Sequence, residues 1–309
     1  MTDTARGVVL VLLAVLCWST AGVLIRLVSA DPWTIVAWRS GVLLVAVAAW
    51  TFARHGRRAG EMVRAMGRHG VWSAVLQAIT FVLFILAVTR TTVANVLVIL
   101  AATPAVVTLL ARVFLGERAR GLTWAAVLLS MAGVAVVFSG ALEPAELWGS
   151  LYAALVTVAF GANSVLLRGA QTVDLTPAVG GAGLLSALVG VACAPTLLVD
   201  SQSAAALITL GVVQLALGLG LFVRGARLLP AAEASVLTLL ETVLSPLWVW
   251  MAFDEAPGRP ALIGGAMVLA GAATMGVAAH IGATAAGLAR VSRGAVRSTG
   301  QASRPKDVA

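Results

Sequence analysis

Long apolar runs follow one another along almost the whole chain of 309 residues. A helix needs roughly 20 residues to cross about 30 Å of hydrocarbon, and ten stretches approach that length. They cover residues 7–28, 33–52, 71–89, 93–115, 123–140, 147–168, 176–197, 204–226, 231–253 and 261–281. Strands of a membrane β-barrel alternate apolar and polar residues, which these runs do not. The sequence therefore predicts an all-α integral membrane protein with ten transmembrane helices.

The basic residues are distributed unevenly between the two sides of these spans. The chain carries 21 Lys and Arg against 13 Asp and Glu, a formal net charge of +8. With the N-terminus on the cytoplasmic side, most of the basic residues fall on that side, including clusters at 54–68 and 290–306. This is the positive-inside pattern of membrane proteins. We therefore expect both termini to be cytoplasmic, the lipid bilayer to be the partner of the basic surface, and no nucleic-acid partner.

Pairs of similar segments indicate an internal repeat. The third and eighth spans contain "QAITFVLFILAVTR" (77–90) and "QLALGLGLFVRGAR" (214–227), an offset of 137 from Gln77 to Gln214. An offset of 138 places Glu117 on Glu255, and an offset of 142 places "CWSTAGVLIR" (17–26) on "AFGANSVLLR" (159–168). The three offsets are nearly equal and occur in the same order in both halves. Such collinearity is typical of a duplicated unit.

An odd number of spans in each unit determines the orientation of the second copy. Five spans return the chain on the opposite side of the membrane, so the second unit enters inverted. We expect two inverted five-helix repeats, at residues 1–140 and 141–284, and a disordered, basic cytoplasmic tail at 285–309, rich in Arg, Ser, Gly and Ala. Binding sites in inverted-repeat proteins lie between the halves, near the bilayer midplane.

Two segments resemble a known family. "TPAVVTLLARVFLGER" (103–118) and "LPAAEASVLTLLETVLSPLWVWMAFDE" (229–255), together with ten spans, resemble the EamA-type transporters of the drug/metabolite transporter superfamily. Family members commonly carry Glu-Pro in the ninth helix and Gly-Glu fourteen residues later. Here Glu241 and Glu255 keep that spacing, while Thr242 and Asp254 replace the proline and the glycine.

The first half shows the same pattern with one difference. Pro104 and Gly116-Glu117 match it, but Thr103 stands where the second half has Glu241. "WRSGVLL", which contains Arg39, resembles the family's second-helix arginine motif. The resemblance implies a secondary transporter in the inner membrane of a bacterium, most similar to exporters of amino acids, other metabolites or drugs.

Glu241 is the strongest candidate for a substrate-binding residue. It lies about ten residues into the ninth span, where a charged side chain costs on the order of 2.5–3.5 kcal/mol. Helical spacing places Ser245 and Trp248 on the same face, as expected for a cavity wall. Three roles remain open for its carboxylate, namely proton carrier, anchor for a substrate amino group, and structural ion pair with Arg39.

Other polar and aromatic side chains within spans are further candidates for the cavity. Arg39 could either turn inward or extend its stem to the membrane surface. Gln77 and Gln214 occupy equivalent positions in the two repeats, which favours a symmetric site. For all of these groups, hydrogen bonding between helices is the alternative role. The remaining candidates are Asn163, Asn95, Thr103 and Trp18.

The sequence shows no motif for catalysis or for a cofactor. His55, His69 and His280 lie apart from Cys17 and Cys193, and there is no phosphate-binding loop. We therefore expect no enzyme activity, no cofactor and no metal. The function predicted is export of small, amino-acid-like or amphipathic metabolites by alternating access. Proton coupling and a homodimer are left open, and the alternative is a membrane scaffold that transports nothing.

Overall fold

The computed structural model describes residues 3–91, 93–117, 119, 121–137, 139, 147–170, 173–254, 258–260 and 262–274. All regular secondary structure in these residues is helical. Within these residues, eight helices are long and apolar enough to cross a membrane. Two shorter apolar helices, Gly121–Val137 and Leu262–Thr274, occupy the places of the fifth and tenth predicted spans. The predicted tail, from residue 285, lies outside the described residues.

The helices follow the predicted order of spans. In order, they are the first span (Asp3–Ser19 and Ala21–Arg26), the second (Pro32–His55), the third (Gly67–Arg90), the fourth (Val93–Leu100 and Thr103–Phe114), the fifth (Gly121–Val137), the sixth (Leu147–Gly169), the seventh (Thr176–Cys193), the eighth (Ser201–Ala226), the ninth (Ala231–Thr238 and Glu241–Phe253) and the tenth (Leu262–Thr274). A short 3₁₀ turn, Gly56–Arg58, and the helix Ala59–Ala65 connect the second and third spans.

Helix packing is organised across the two halves. The first span packs on the eighth, and its repeat equivalent, the sixth, packs on the third. The second span packs on the seventh, and the second half of the fourth on the first half of the ninth. Exchanging the repeats maps the first–eighth pair onto the third–sixth pair and the second–seventh pair onto itself, whereas the fourth–ninth contact has no comparable equivalent between Val93–Leu100 and Glu241–Phe253. This pseudo-twofold packing is what two inverted five-helix repeats produce, and the protein has that fold.

Glycines bring the paired helices close together. A Cβ on Gly183 or Gly190 would meet the backbone of the second span at Ser40 or Ala37. Between the fifth and tenth helices, Gly133 and Gly264 face each other in the same way. In lipid, where there is no hydrophobic force between helices, close backbone approach increases van der Waals contact.

Three spans are interrupted along their length. The first breaks at Thr20, the fourth at Ala101 and Ala102, and the ninth at Leu239 and Leu240. With the offset of 138, the fourth and ninth spans break at equivalent positions. The ninth does so although Thr242 replaces the proline. Carbonyl groups freed inside a membrane must find other donors, so these breaks position polar groups near the midplane.

Candidate functional site

A cavity of about 600 Å³ lies at the helix breaks, between the two repeats. The first, fourth and ninth spans line it with residues next to their breaks, and the second, third, sixth and eighth complete the wall. Most of the predicted site residues line this cavity: Trp18, Arg39, Gln77, Thr103, Gln214, Glu241 and Ser245. Asn163, Asn95 and Trp248 do not.

Glu241 begins the second segment of the ninth span. Its side chain lines the cavity and is partly accessible from it. Within the described part of the chain, the carboxylate has no hydrogen bond or ion pair, which leaves it available to a ligand, a proton or water. The bonds at the helix break come from the next residue, since the Thr242 hydroxyl donates to the Leu239 carbonyl at 2.7 Å.

Arg39 lines the same cavity from the second span and is 3% exposed. Its guanidinium therefore does not extend to the membrane surface. The Nε atom has no hydrogen-bond partner among the described residues, and there is no ion pair between Arg39 and Glu241. The alternative of a structural Glu–Arg pair is therefore not observed in this conformation. Arg39 and Glu241 are the two ionisable residues among those that line the cavity.

Gln77 and Gln214 line the cavity from the third and eighth spans. Gln77 is 2% exposed, and neither atom of its amide has a hydrogen-bond partner in the described structure. Gln214 lies in the π-helical segment Leu210–Leu217 within the eighth span, and its Oε1 also lacks a partner. Because a buried amide without partners is unfavourable, both side chains are suited to binding a polar ligand. π-Helical segments often occur at functional sites.

Aromatic side chains close one end of the cavity. The Trp18 ring lies 5.1 Å from Phe222 and 6.2 Å from Phe160 between centroids, and Phe160 stacks on Phe222 at 5.4 Å. Gly218 makes room for the indole, because a Cβ there would lie 2.6 Å from Trp18 Nε1. The indole therefore presents an apolar surface to the cavity.

The remaining candidates form hydrogen bonds within the protein, of which the Asn95 bond is local to the connection before the fourth span. Asn163 accepts a hydrogen bond from Ser73 Oγ at 2.7 Å, and Asn95 donates one to Thr91 Oγ1 at 3.1 Å. At the break of the first span, Trp248 Nε1 donates to Ser19 Oγ at 2.8 Å and Ser245 Oγ donates to the Ser19 carbonyl at 3.0 Å. The predicted shared face of Glu241, Ser245 and Trp248 thus extends from the cavity to the first span.

The lining is symmetric in the middle of the membrane and asymmetric elsewhere. Repeat-equivalent pairs that both line the cavity are Trp18 with Phe160, Gln77 with Gln214, Leu100 with Thr238, Ala101 with Leu239 and Thr103 with Glu241. By contrast, Ile25, Val88 and Leu97 line it while their equivalents Leu167, Gly225 and Ser235 are buried elsewhere. These three line the side opposite the N-terminus, called here the far side. The cavity therefore extends from the midplane towards the far side.

Several lining residues were not predicted from the sequence. They are Phe81 and Phe84 of the third span, Phe160 of the sixth and Thr238 of the ninth, among others. The repeat contained a signal for two of them, because Phe160 is the equivalent of Trp18 and Thr238 lies directly before the break. Phe81 and Phe84 had no such signal, since aromatic residues in a membrane span face lipid, protein or a cavity equally well.

Comparison with protein families gives the clearest result. The model of the EamA-like transporter family matches residues 5–139 and, a second time, residues 147–277. The chain belongs to the EamA-like transporter family. An EamA-like transporter is a multi-pass membrane protein that transports solutes, which agrees with the resemblance of the fourth-span and ninth-span motifs. The double match also agrees with the repeat seen in the packing.

Solved structures support the fold of this EamA-like transporter. The crystal structure of another protein superposes on this chain with a TM-score of 0.79 at 22% sequence identity. The alignment covers 88% of this chain and 97% of the other chain. At this identity the likeness concerns the fold. No curated protein matches the chain.

Metal chemistry has no candidate site in the described residues. No group of three or more His, Cys, Asp and Glu side chains there could hold a metal ion. The described cavity of this EamA-like transporter instead combines one guanidinium, one carboxylate, amides and aromatic rings.

Proposed function

We propose that the protein exports small amphipathic metabolites that carry both an anionic and a cationic group, as amino acids do. The observation that supports this is the presence of Arg39 and Glu241 in one cavity without an ion pair between them. An anionic group of the substrate would bind the guanidinium, and its ammonium group would bind the carboxylate. The amides of Gln77 and Gln214 would take further hydrogen bonds, and Trp18 and Phe160 would contact apolar atoms.

Alternating access is the mechanism that the inverted repeats favour. The cavity extends towards the far side only, and exchange of the roles of the two repeats would produce a cavity on the N-terminal side. Following the distribution of basic residues, we place both termini in the cytoplasm of a bacterium and the far side in the periplasm.

The driving force is proposed to be a proton gradient, exchanged through Glu241. It is the one carboxylate among the described lining residues, and it lies where the cavity would change sides in an alternating-access cycle. Proton binding and substrate binding at the same carboxylate would exclude each other, which couples the two fluxes. A scaffold protein would need neither this cavity nor an unpaired carboxylate in it.

The deciding experiment is an untargeted comparison of metabolites in the medium of cells that overproduce matched amounts of wild type or variants. We expect one or more compounds with both charges to accumulate outside with wild type and not with Glu241→Gln. The matched control is Glu61→Gln, because Glu61 is exposed in the short helix Ala59–Ala65. Export retained by Glu241→Gln would contradict the site, and accumulation inside the cells would contradict the direction.

Proton coupling is tested separately with the compound so identified. In proteoliposomes, an imposed pH gradient should accelerate flux through wild type and leave exchange by Glu241→Gln unaffected. An equal response of both proteins to the gradient would rule out Glu241 as the proton carrier.

A further inference from the structure

The N-terminal side of the cavity is closed by two successive layers. The first is the aromatic group of Trp18, Phe160 and Phe222, followed by fully buried Val11, Leu167, Leu175 and Leu229. The second layer is formed by charged residues at the ends of the helices. We call the group of Glu117, Arg168, Asp174 and Arg227 the ion cluster. It lies on the side of the membrane opposite to the cavity opening.

Arg168 is the centre of the ion cluster. At the end of the sixth span, its Nε donates to Glu117 Oε1 at 3.0 Å, and its Nη1 donates to the Arg227 carbonyl at 3.1 Å. The side chains of Arg168 and Glu117 are 23% and 30% exposed, so solvent screens their pair only in part. Glu117 follows the fourth span, and Arg227 follows the eighth. One guanidinium therefore connects the ends of three helices.

The cluster joins the two repeats. Glu117 belongs to the first repeat, and the other three members of the ion cluster belong to the second. Arg227 Nη1 lies 4.0 Å from Asp174 Oδ1, which extends the cluster to the start of the seventh span. Leu115, beside Glu117, packs against an apolar group from the fourth, sixth and ninth helices. Movement of the repeats apart on this side would break the Glu117–Arg168 bond.

Asp174 keeps its charge at this position. Burial alone would raise the pKa of its carboxyl, but hydrogen bonds donated by the Thr176 hydroxyl and backbone, with the charges of Arg224 and Arg227, lower the pKa below its ordinary value. The carboxylate therefore stays ionised through the neutral and mildly acidic range. Its attraction to Arg227 therefore persists at neutral and mildly acidic pH.

The far side carries the same charges at equivalent positions in the sequence. The offsets place Glu117 on Glu255, Arg168 on Arg26 and Arg227 on Arg90. Residue 255 and the Arg26 side chain lie outside the described residues. Arg90 is described, and its guanidinium lies over the Tyr152 ring at 5.9 Å.

The local structure before the second and seventh spans is also alike. Asp31 Oδ1 accepts a hydrogen bond from Trp33 N at 2.9 Å, and Asp174 Oδ1 accepts one from Thr176 N at 2.9 Å. The duplication thus retained an acidic residue at this turn on each side of the membrane. Charge at both ends of the repeats is expected if each end must close in turn.

We propose that the ion cluster is a latch that keeps the N-terminal side closed while the cavity faces the far side. This proposal rests on the proposed function, since a latch needs a cycle in which it opens. In that cycle the Glu117–Arg168 bond breaks when the cavity turns to the N-terminal side. Residues equivalent to the far-side lining then become accessible, and Ser235, the equivalent of Leu97, is one of them.

The test measures conformation directly, without substrate. Two reporters, Ser235→Cys and Leu97→Cys, are made in a background with Cys17→Ala and Cys193→Ala. The protein is placed in lipid nanodiscs, where both faces meet a membrane-impermeant maleimide, and the labelling rate is measured. Ser235 is fully buried in this conformation, whereas Leu97 lines the cavity. The wild-type cluster should therefore give slow labelling at position 235 and fast labelling at position 97.

Breaking the latch should change the two reporters differently. We expect Glu117→Gln to accelerate labelling at position 235 about threefold, and Arg168→Gln about fivefold, in the range of a partly exposed ion pair. The double variant should label no faster than Arg168→Gln, because both changes remove the same bond. Labelling at position 97 should not rise. Glu61→Gln, the same substitution at an exposed site, should leave both rates unchanged.

Two results would overturn the proposal. An unchanged rate at position 235 in both single variants means that the cluster does not hold this side closed. A parallel rise at both positions means that the variants loosen the whole fold. Neither result bears on export, which is measured with Glu241→Gln. If wild type exports nothing, the labelling still reports whether the cluster controls access to position 235.

Discussion

The fourth and ninth spans break at equivalent positions, yet only the ninth places a charge in the cavity. In the fourth, Thr103 is the first residue after the break, and its hydroxyl donates to the Leu100 carbonyl. In the ninth, the hydroxyl belongs to the second residue, Thr242, which donates to Leu239. The repeat thus preserves the break, while the residue that stabilises it has moved by one position.

Because the bonding hydroxyl belongs to Thr242, Glu241 is free to occupy the first position after the ninth-span break. At the fourth-span break, Pro104 contributes no N–H, and Thr103 must supply the side-chain donor. At the ninth-span break, both the backbone N–H and the hydroxyl of Thr242 bond the Leu239 carbonyl. The first position is therefore not needed for the break and is available for an ionisable side chain.

The largest effect should come from making the two breaks alike. Glu241→Thr copies Thr103 into the ninth span and removes the carboxylate. A hydrogen bond to a charged group contributes about 1.5–3 kcal/mol, so we expect transport to fall about tenfold to a hundredfold. The measurement is flux of the identified compound in proteoliposomes. Glu241→Asp should retain part of the rate, and full flux in Glu241→Thr would contradict a role for the charge.

Removal of the opposite charge tests whether Glu241 acts with a partner across the cavity. Arg39→Met should lower the affinity for a substrate with an anionic group about tenfold, whereas Arg39→Lys should lower it less, because the charge remains. Competition between the substrate and analogues that lack the anionic group measures this. Analogues without that group should not distinguish Arg39→Met from wild type. If they do, Arg39 acts on the structure rather than on the ligand.

The two glutamines should show the symmetry that the two breaks lack. Gln77→Leu and Gln214→Leu each remove one amide from equivalent positions, and a neutral hydrogen bond contributes about 0.5–1.5 kcal/mol. We expect each variant to raise KM about twofold to tenfold, by similar amounts. An effect confined to Gln214→Leu would show instead that the π-helical segment, present in the eighth span and absent from the third, determines the site.

The smallest effect should come from exchanging Pro104 and Thr242, the second residues after the breaks of the fourth and ninth spans. Thr242→Pro restores the family's proline, and Pro104 already occupies the equivalent place in the first turn of its helix segment. We expect transport within about twofold of wild type and a Tm lower by about 2–4 °C, since hydrogen bonds of Thr242 are lost. Pro104→Thr is the reciprocal variant. A large loss of transport in Thr242→Pro would mean that the exact bonding at this break matters.

Sequence reasoning found the charged and amide residues of the cavity because its strongest signals are chemical. A carboxylate or guanidinium deep within a span is costly unless protein or water surrounds it, which selects Glu241 and Arg39, whereas Arg112 and Glu233 lie within three residues of the ends of their predicted spans. The repeat then selects Gln77 and Gln214 as a pair. Asn163 and Asn95 carry equally polar groups, but they contact Ser73 and Thr91. Distinguishing a cavity from a contact between helices requires the relative rotation of the helices, which polarity does not encode.

The breaks could be predicted only in part. Pro104 is a strong signal, because proline interrupts helical hydrogen bonding. Thr20 and Leu239 lie within apolar runs, and their breaks depend on hydroxyl groups that bond carbonyls three residues earlier, as Thr20 does with Cys17 at 2.7 Å. Such bonds are also compatible with a continuous helix. Packing of the other helices therefore decides where these spans break.

Taken alone, the sequence determined the number and order of the spans, the repeat and the charged residues available to a site. These follow from length, polarity and duplication, which are local properties of the chain. Tertiary structure decided that Arg39 and Glu241 share a cavity without pairing, that the cavity extends to the far side, and that Arg168 joins Glu117 to Arg227 on the other side. The reason is physical: each depends on how distant helices rotate and pack, and the polarity of a residue is the same whichever neighbour it faces.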